Sequence, residues 1–197
     1  MARQGLSTST GLHRLVLVLL LVVTAIALHV VRVPFPLLPI LLFDLAGVPL
    51  VVASLVSLRA TTLMGLPLFY LGVLALGSLE PIGPFMKAFA EFSTYLPVAL
   101  MHEKFVSKWG YSLKTKMFLV VLATASRVVF MALLNIAFTP LYLMYFLGLA
   151  TNYWEGLLMV LQILHLISLF NVIAAVYTVL LAFPVISILK KLRTIPI

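Results

Sequence analysis

Long apolar runs, separated by short polar or proline-rich breaks, cover most of the chain. A membrane-spanning helix needs about 20 predominantly apolar residues, and runs near that length recur from residue 15 onwards. The pattern predicts a bundle of six transmembrane helices. The expected spans are residues 12–32, 48–59, 63–79, 84–105, 116–139 and 165–189.

The stretch between the first two spans is apolar, but it cannot form one continuous helix. Residues 33–49 read VPFPLLPILLFDLAGVP and contain four prolines, each of which lacks the backbone N–H that a helix interior needs. We expect an irregular connection that is covered by protein or lines a cavity, because its peptide groups would be unsatisfied in lipid.

Two other segments leave alternatives open. Residues 141–164 are apolar at both ends but contain the polar sequence TNYWEG, so we expect a long connection on or in the membrane, with a seventh span as the alternative. The first apolar run, residues 15–31, could be a signal peptide, since Ala25-Ile26-Ala27 has cleavage-site spacing. We expect it to be the first span, because it is longer than a usual signal-peptide core.

Composition supports a membrane protein. Of the 197 residues, 64% are hydrophobic and 9% are charged, whereas soluble domains average roughly 45–50% and about 25%. This balance disfavours a soluble enzyme, a DNA-binding domain and a disordered regulator. We expect an all-α integral membrane protein with a single transmembrane domain, residues 1–197, in the cell membrane. Cysteine is absent, which excludes disulfides and thiolate chemistry.

Basic residues outnumber acidic residues by 13 to 5. Cytoplasmic loops of membrane proteins are rich in Lys and Arg, so this excess reflects topology and contact with the lipid bilayer and needs no nucleic acid. With six spans, Asp44, Glu80 and Glu155 fall toward one face and most basic residues fall on the other, which predicts that both termini are cytoplasmic. The basic residues on that face are Arg3, Arg14, Arg59, Lys104, Lys108, Lys114, Lys116, Lys190, Lys191 and Arg193.

Lys87, Glu91 and Arg127 are ionisable residues inside predicted spans, where each costs about 2.5–3.5 kcal/mol and therefore faces a partner, a cavity or a substrate. Lys87 and Glu91 are four residues apart and can pair on one helix face, either structurally or as part of a site. Arg127 lies about 16 Å beyond Lys116 along a helix, near mid-membrane. Alternatively, Arg127 marks the cytoplasmic start of a span that begins at residue 128.

Polar residues on the outer side complete the candidate site. Asn135 and Asn171 interrupt apolar helices, where an amide bonds either a neighbouring helix or a ligand. The TNYWEG segment adds groups that anchor the chain at the interface or contact a ligand. The candidate substrate-binding set is Asp44, Lys87, Glu91, Arg127, Asn135, Asn152, Trp154, Glu155 and Asn171.

Patterns typical of catalysis and metal binding are missing from the sequence. No catalytic Ser-His-Asp arrangement and no Gly-rich phosphate loop occur. His29, His102 and His165 are isolated, without metal-ligand spacing. We therefore expect neither an enzyme nor a bound metal or cofactor.

A stripe of small residues recurs at every fourth position in the last span. Ala174, Thr178 and Ala182 form it, and such stripes permit close helix approach. The approaching helix belongs either to the same bundle or to a partner subunit, and we take the stripe as a candidate docking face.

Four short motifs follow one another along the chain. They are FDLAGVP at residues 43–49, Gly83-Pro84 followed by YLPVA at 95–99, LNIAFTPLY at 134–142 and LFNVIA at 169–174. Their order resembles that in the substrate-binding S component of energy-coupling-factor vitamin transporters, with the riboflavin-type branch nearest. The likeness covers residues 12–192.

The resemblance implies a six-helix monomer that binds one small vitamin or precursor near the outer surface, beneath the loops at Asp44 and residues 152–155. It also implies uptake driven by an energy-coupling module, which consists of a transmembrane coupling subunit and two ATPase subunits. The chain itself would hold no nucleotide.

Two other classes of function remain open from the sequence. One is a structural or assembly scaffold in the membrane, which would use the small-residue stripes for packing. The other is a secondary transporter that uses Lys87 and Glu91 as a proton relay.

Overall fold

A computed structural model describes residues 3–76 and 80–191, and these residues are mostly helical. Arg193 and the last residues of the third predicted span, 77–79, lie outside the described part. Within it, the elements are α1 (Arg3–Leu28), β1 (Val33–Phe35), β2 (Leu38–Phe43), α2 (Gly47–Val56), α3 (Leu58–Ala60), a π-helical turn (Thr61–Gly65), α4 (Leu66–Ala75), α5 (Ile82–Trp109), α6 (Leu113–Tyr145) and α7 (Tyr153–Lys191).

In the part of the chain that the structure describes, four helical segments are long and apolar enough to cross a membrane, which agrees with the prediction of a mostly helical membrane protein. The segments are Gly11–Leu28, Leu58–Ala75, Leu113–Tyr145 and Tyr153–Leu189. Helix α5 has 28 residues, a rise of roughly 42 Å, but Lys87 and Glu91 lower its hydropathy. It packs against α2, α4 and α6 as part of the same bundle.

The second predicted span, residues 48–59, corresponds to a helix that ends three residues earlier than predicted, at Val56. Helix α2 has 10 residues and rises about 15 Å, roughly half of a hydrocarbon core. The chain turns back at Ser57, whose extended backbone starts α3 and whose side chain accepts a hydrogen bond from the Ala60 N–H. Helix α2 packs on α1, α5 and α7 and is apolar all round because it lies at the centre of the bundle.

The proline-rich connection is not irregular, as the sequence had suggested, but contains a β-hairpin. Strands β1 and β2 pair antiparallel, with an irregularity between Pro34 and Phe35. Prolines exclude a helix, but they are tolerated in a two-stranded sheet because both of its strands are edge strands. Phe43 stacks on Phe170 of α7 with ring centroids 4.5 Å apart, which fixes the hairpin on the bundle.

The segment 141–164 is also more helical than predicted. Helix α6 continues through Pro140 to Tyr145, and α7 begins at Tyr153 as one helix of 39 residues. The polar TNYWEG sequence supplies the helix start, since the Asn152 side chain accepts a hydrogen bond from the Glu155 N–H at 3.0 Å. The last predicted span, residues 165–189, is therefore the greater part of α7, and residues 153–191 hold no separate seventh span.

The two ends of the bundle differ in charge. One end contains the hairpin and the turn between α6 and α7. The other end contains the turn between α5 and α6. Near this turn lie Lys104, Lys108, Lys114 and Lys116. Tyr111 in the turn contacts Phe183 near the end of α7, with ring centroids 6.2 Å apart. The lysines of residues 104–116 thus lie opposite to Asp44.

Candidate functional site

Asp44 links the hairpin to the helical bundle through a buried carboxylate. It lies between β2 and α2, and its side chain is 1% exposed. Its Oδ1 accepts hydrogen bonds from the Ala46 N–H and from Lys87 Nζ, both at 2.9 Å, and its Oδ2 lies 2.7 Å from His29 Nδ1. The Tyr177 hydroxyl donates to the Asp44 carbonyl at 2.6 Å.

Burial opposes the ionisation of Asp44, but the neighbouring Lys87 and His29 outweigh it. They hold the pKa of this carboxyl well below its usual range. Asp44 is therefore a fixed negative charge near neutral pH. Because its folded-state pKa is lowered, the stability that it contributes is lost only as the pH falls below about 4.

From Asp44, alternating charges continue across the bundle. Lys87 Nζ also lies 2.7 Å from Glu91 Oε1, and Arg127 Nη1 lies 3.4 Å from the same oxygen. Arg127 further donates to Thr94 Oγ1 and to Asn171 Oδ1, both at 3.0 Å. The network joins the loop before α2 to α5, α6 and α7, and mutual pairing is the condition under which such charges tolerate burial.

Glu91 is positioned by a glycine on α2. Its Oε2 is buried without a hydrogen-bond partner in the described residues and lies directly against Gly47. A Cβ at Gly47 would overlap this oxygen and approach Thr178 Cγ2 to 2.8 Å. The glycine therefore lets α2, α5 and α7 meet at the network.

A cavity of about 390 Å³ lies between the hairpin and the helices. Its apolar walls come from β2, α5, α6 and α7, including Leu41, Met86, Met131 and Phe170. Polar side chains line the rest, and they are His29, Arg32, Asp44, Glu80, Lys87, Arg127, Asn135, Thr139, Tyr142 and Asn171. A small number of polar groups within apolar walls is typical of small-molecule sites.

Glu80, Thr139 and Tyr142 add a carboxylate and two hydroxyls to the cavity lining, while Lys87 and the two asparagines add hydrogen-bond donors. Asn135 donates one N–H to the Met131 carbonyl and accepts from Thr139, while Asn171 donates one N–H to the Ile167 carbonyl and accepts from Arg127. Each amide has a second N–H, and the ammonium of Lys87 has a third. Both oxygens of Asp44 already accept hydrogen bonds. A ligand that presents acceptors therefore complements these donors of Lys87, Asn135 and Asn171.

The structure brings together most of the residues that the sequence singled out. Asp44, Lys87, Arg127, Asn135 and Asn171 line the cavity, and Glu91 supports two of them from beside it. Arg127 is 2% exposed, so it lies inside the bundle and does not mark an interfacial helix start.

The predicted site residues at the start of α7 lie elsewhere. Asn152, Trp154 and Glu155 are not among the described residues that line the cavity. Asn152 caps α7, Glu155 accepts from the Thr151 backbone and hydroxyl at 2.7 Å, and Trp154 is 72% exposed. Their contacts in the structure are those of a helix start and not of a ligand site.

The small-residue stripe faces inward. Ala174, Thr178 and Ala182 are buried, and Thr178 lies close to Gly47 of α2. The stripe serves packing within the bundle, which was one of its two interpretations, and so it is not an accessible docking face. The physical reason is that α2, at the bundle centre, fills the groove along α7.

Sequence reasoning did not assign His29, Arg32, Thr94 or Tyr177 to the site. His29 lies near a span end, where a histidine is equally typical of a membrane interface. Thr94 and Tyr177 bond to residues that are 33 and 133 positions away in sequence. The one available signal was the charge of Asp44, which needs a partner when it is buried.

The hydrogen-bond donors of Lys87, Asn135 and Asn171 are groups that can bind an organic molecule with acceptor oxygens. The described residues hold no group of three or more His, Asp or Glu side chains placed to bind a metal ion. No family model, no curated protein and no solved structure matches the chain.

Proposed function

We propose that this chain is a membrane-embedded binding protein for a small vitamin-like molecule, held in the cavity beneath the hairpin. The observation that carries the proposal is a group of hydrogen-bond donors that lines a partly open cavity in an otherwise apolar bundle. Lys87, Arg127, Asn135 and Asn171 present that lining. Carbonyl, imide or carboxylate oxygens of a ligand are the groups that such donors recognise.

The proposal includes a topology of six segments that alternate in direction. Gly65, directly before α4, lies against Val22 of α1, and Gly72 of α4 lies against Ile26. Helix α4 therefore runs parallel to α1. Helix α2, which lies between α1 and α4 in sequence, runs in the opposite direction. Helices α5, α6 and α7 complete the proposed set, and in this topology both termini lie at the lysine-rich end. By the positive-inside rule this end is cytoplasmic and the cavity is near the outer face.

In this proposal the chain works in uptake as the S component of an energy-coupling-factor transporter. The resemblance of its motifs to the riboflavin-type branch supports this role, and so does the location of Asp44, Asn135 and Asn171 at one cavity. Transport would use a transmembrane coupling subunit and two ATPase subunits. Because the stripe on α7 is buried, the coupling subunit would dock on another, lipid-facing surface.

Calorimetric titration of the purified protein with a panel of water-soluble vitamins and their precursors tests the proposal. We expect saturable binding in the nanomolar to micromolar range, strongest for compounds with several carbonyl or carboxylate oxygens. Saturable binding of none of the compounds contradicts the proposal.

A structural role is the second candidate, and the mutual pairing of Asp44, Lys87, Glu91 and Arg127 favours it. It predicts that changes at cavity residues alter stability alone.

A secondary transporter is the third candidate, and it can be distinguished from the other two by measuring uptake into vesicles under an imposed proton gradient, without any ATPase. Proton-driven uptake by the wild type that is lost in the Glu91→Gln variant would favour a proton relay.

A further inference from the structure

Aromatic rings and lysines form a compact surface at the turn between α5 and α6. Phe105 stacks on Trp109 with ring centroids 4.9 Å apart, and Phe118 lies 4.4 Å from Phe105 and 6.0 Å from Trp109. Lys108 Nζ lies 5.5 Å from the Trp109 ring. We call Phe105, Trp109 and Phe118, with Lys104, Lys108 and Lys114, the basic aromatic patch.

The patch has an apolar side and a cationic side. Trp109 and Phe118 are exposed, and so are Leu113 and Met117 beside them. Lys104, Lys108 and Lys114 are also exposed, and within the described part of the chain none of the three forms an ion pair with an acidic side chain. Lys116 is different, because its ammonium lies over Tyr111 and Phe183 at 5.1 and 5.8 Å.

We propose that the basic aromatic patch binds the headgroups of anionic phospholipids. In a membrane-spanning chain the ends of α5 and α6 lie at the bilayer boundary, where aromatic rings settle at headgroup depth. Lysines there attract anionic lipid, each by a factor of roughly five in affinity. An acidic protein would satisfy the lysines, but lipid satisfies both the cations and the exposed apolar side chains.

The two tryptophans allow a direct test, because they lie at opposite ends of the bundle. Trp154→Phe leaves Trp109 as the only tryptophan, and Trp109→Phe leaves Trp154. Each variant is reconstituted in phosphatidylcholine vesicles that contain brominated phosphatidylglycerol or brominated phosphatidylcholine. Bromine quenches the fluorescence of a tryptophan that it contacts, so quenching reports the relative affinity of each lipid.

We expect Trp109 to prefer phosphatidylglycerol over phosphatidylcholine by roughly fivefold or more, while Trp154 shows no preference. Replacement of Lys104, Lys108 and Lys114 by Gln should remove the preference at Trp109. Replacement of Arg14, Arg59 and Lys191 by Gln is the matched control, since it changes the total charge equally.

Equal quenching of Trp109 by the two lipids would overturn the proposal. An equal loss of preference in the control variant would also overturn it, because the general charge of the face and not the patch would then attract the lipid. Since all six replaced side chains are exposed, folding is expected to be unaffected, and the binding of vitamins at the other end provides an independent check.

Discussion

Lys87 is the residue on which the buried network depends most directly. It lies between the carboxylates of Asp44 and Glu91, so its removal leaves two buried negative charges with weaker partners. Lys87→Met should lower the free energy of unfolding by about 3 kcal/mol, the range for breaking a buried ion pair. Denaturant titration in detergent micelles measures this. Lys104→Met, at an exposed lysine, is the control and should change stability by less than about 0.5 kcal/mol.

Gly47 provides a second prediction at the residue scale. In Gly47→Ala the new methyl group meets Glu91, which cannot swing away because Lys87 and Arg127 hold it. We expect a loss of about 2 kcal/mol from overpacking. Gly11→Ala is the matched control, since open space surrounds Gly11 in α1, and it should be neutral or stabilising by up to about 1 kcal/mol. Equal losses in both variants would contradict the close packing at the network.

The sequence identified much of the site because polar groups in apolar helices are costly. That reasoning found Asp44, Lys87, Arg127, Asn135 and Asn171 without any knowledge of the fold. It could not find Tyr177, whose partner Asp44 lies 133 residues away, because the hydrogen bond exists only once α7 packs beside α2.

At the scale of elements, the hairpin is fastened to the bundle by Tyr177. Tyr177→Phe removes the hydroxyl that donates to the Asp44 carbonyl, and the expected cost is about 1 kcal/mol. Hydrogen exchange should become faster in residues 38–46. Tyr145→Phe, at a tyrosine that is 73% exposed, should leave exchange unchanged, and an equal effect of the two changes would contradict this role of Tyr177.

Long apolar runs indicated the helices α1 and α6, although their ends differ from the predicted bounds by three to nine residues. The short second span was predicted too, but its end was placed at residue 59, because the pattern of apolar residues does not show that the helix already stops before Ser57. The hairpin was missed for a different reason, since prolines argue against a helix but say little about edge strands. The early start of α7 was missed because polar residues at a helix cap look like a loop in sequence.

At the scale of the whole molecule, the absence of cysteine makes the proposed topology directly testable. Asn152→Cys and Lys108→Cys place single thiols at opposite ends of the bundle. A membrane-impermeant maleimide added to intact cells should label the first and should label the second only after permeabilisation. Lys191→Cys should behave as Lys108→Cys does, and labelling of both ends in intact cells would contradict the orientation.

The central claim is that the cavity holds a small molecule, and two asparagines test it most directly. Asn135 lines the cavity, whereas Asn152 caps α7. Protein purified from its native membranes is analysed by mass spectrometry for retained small molecules, and the calorimetric affinity for the identified compound is then measured. We expect the wild type and Asn152→Ala to bind the compound with the same affinity. Asn135→Ala should bind it at least about tenfold more weakly, which corresponds to a loss of about 1.4 kcal/mol in binding free energy. A wild type that retains and binds nothing, or equal losses in the two variants, would contradict the account.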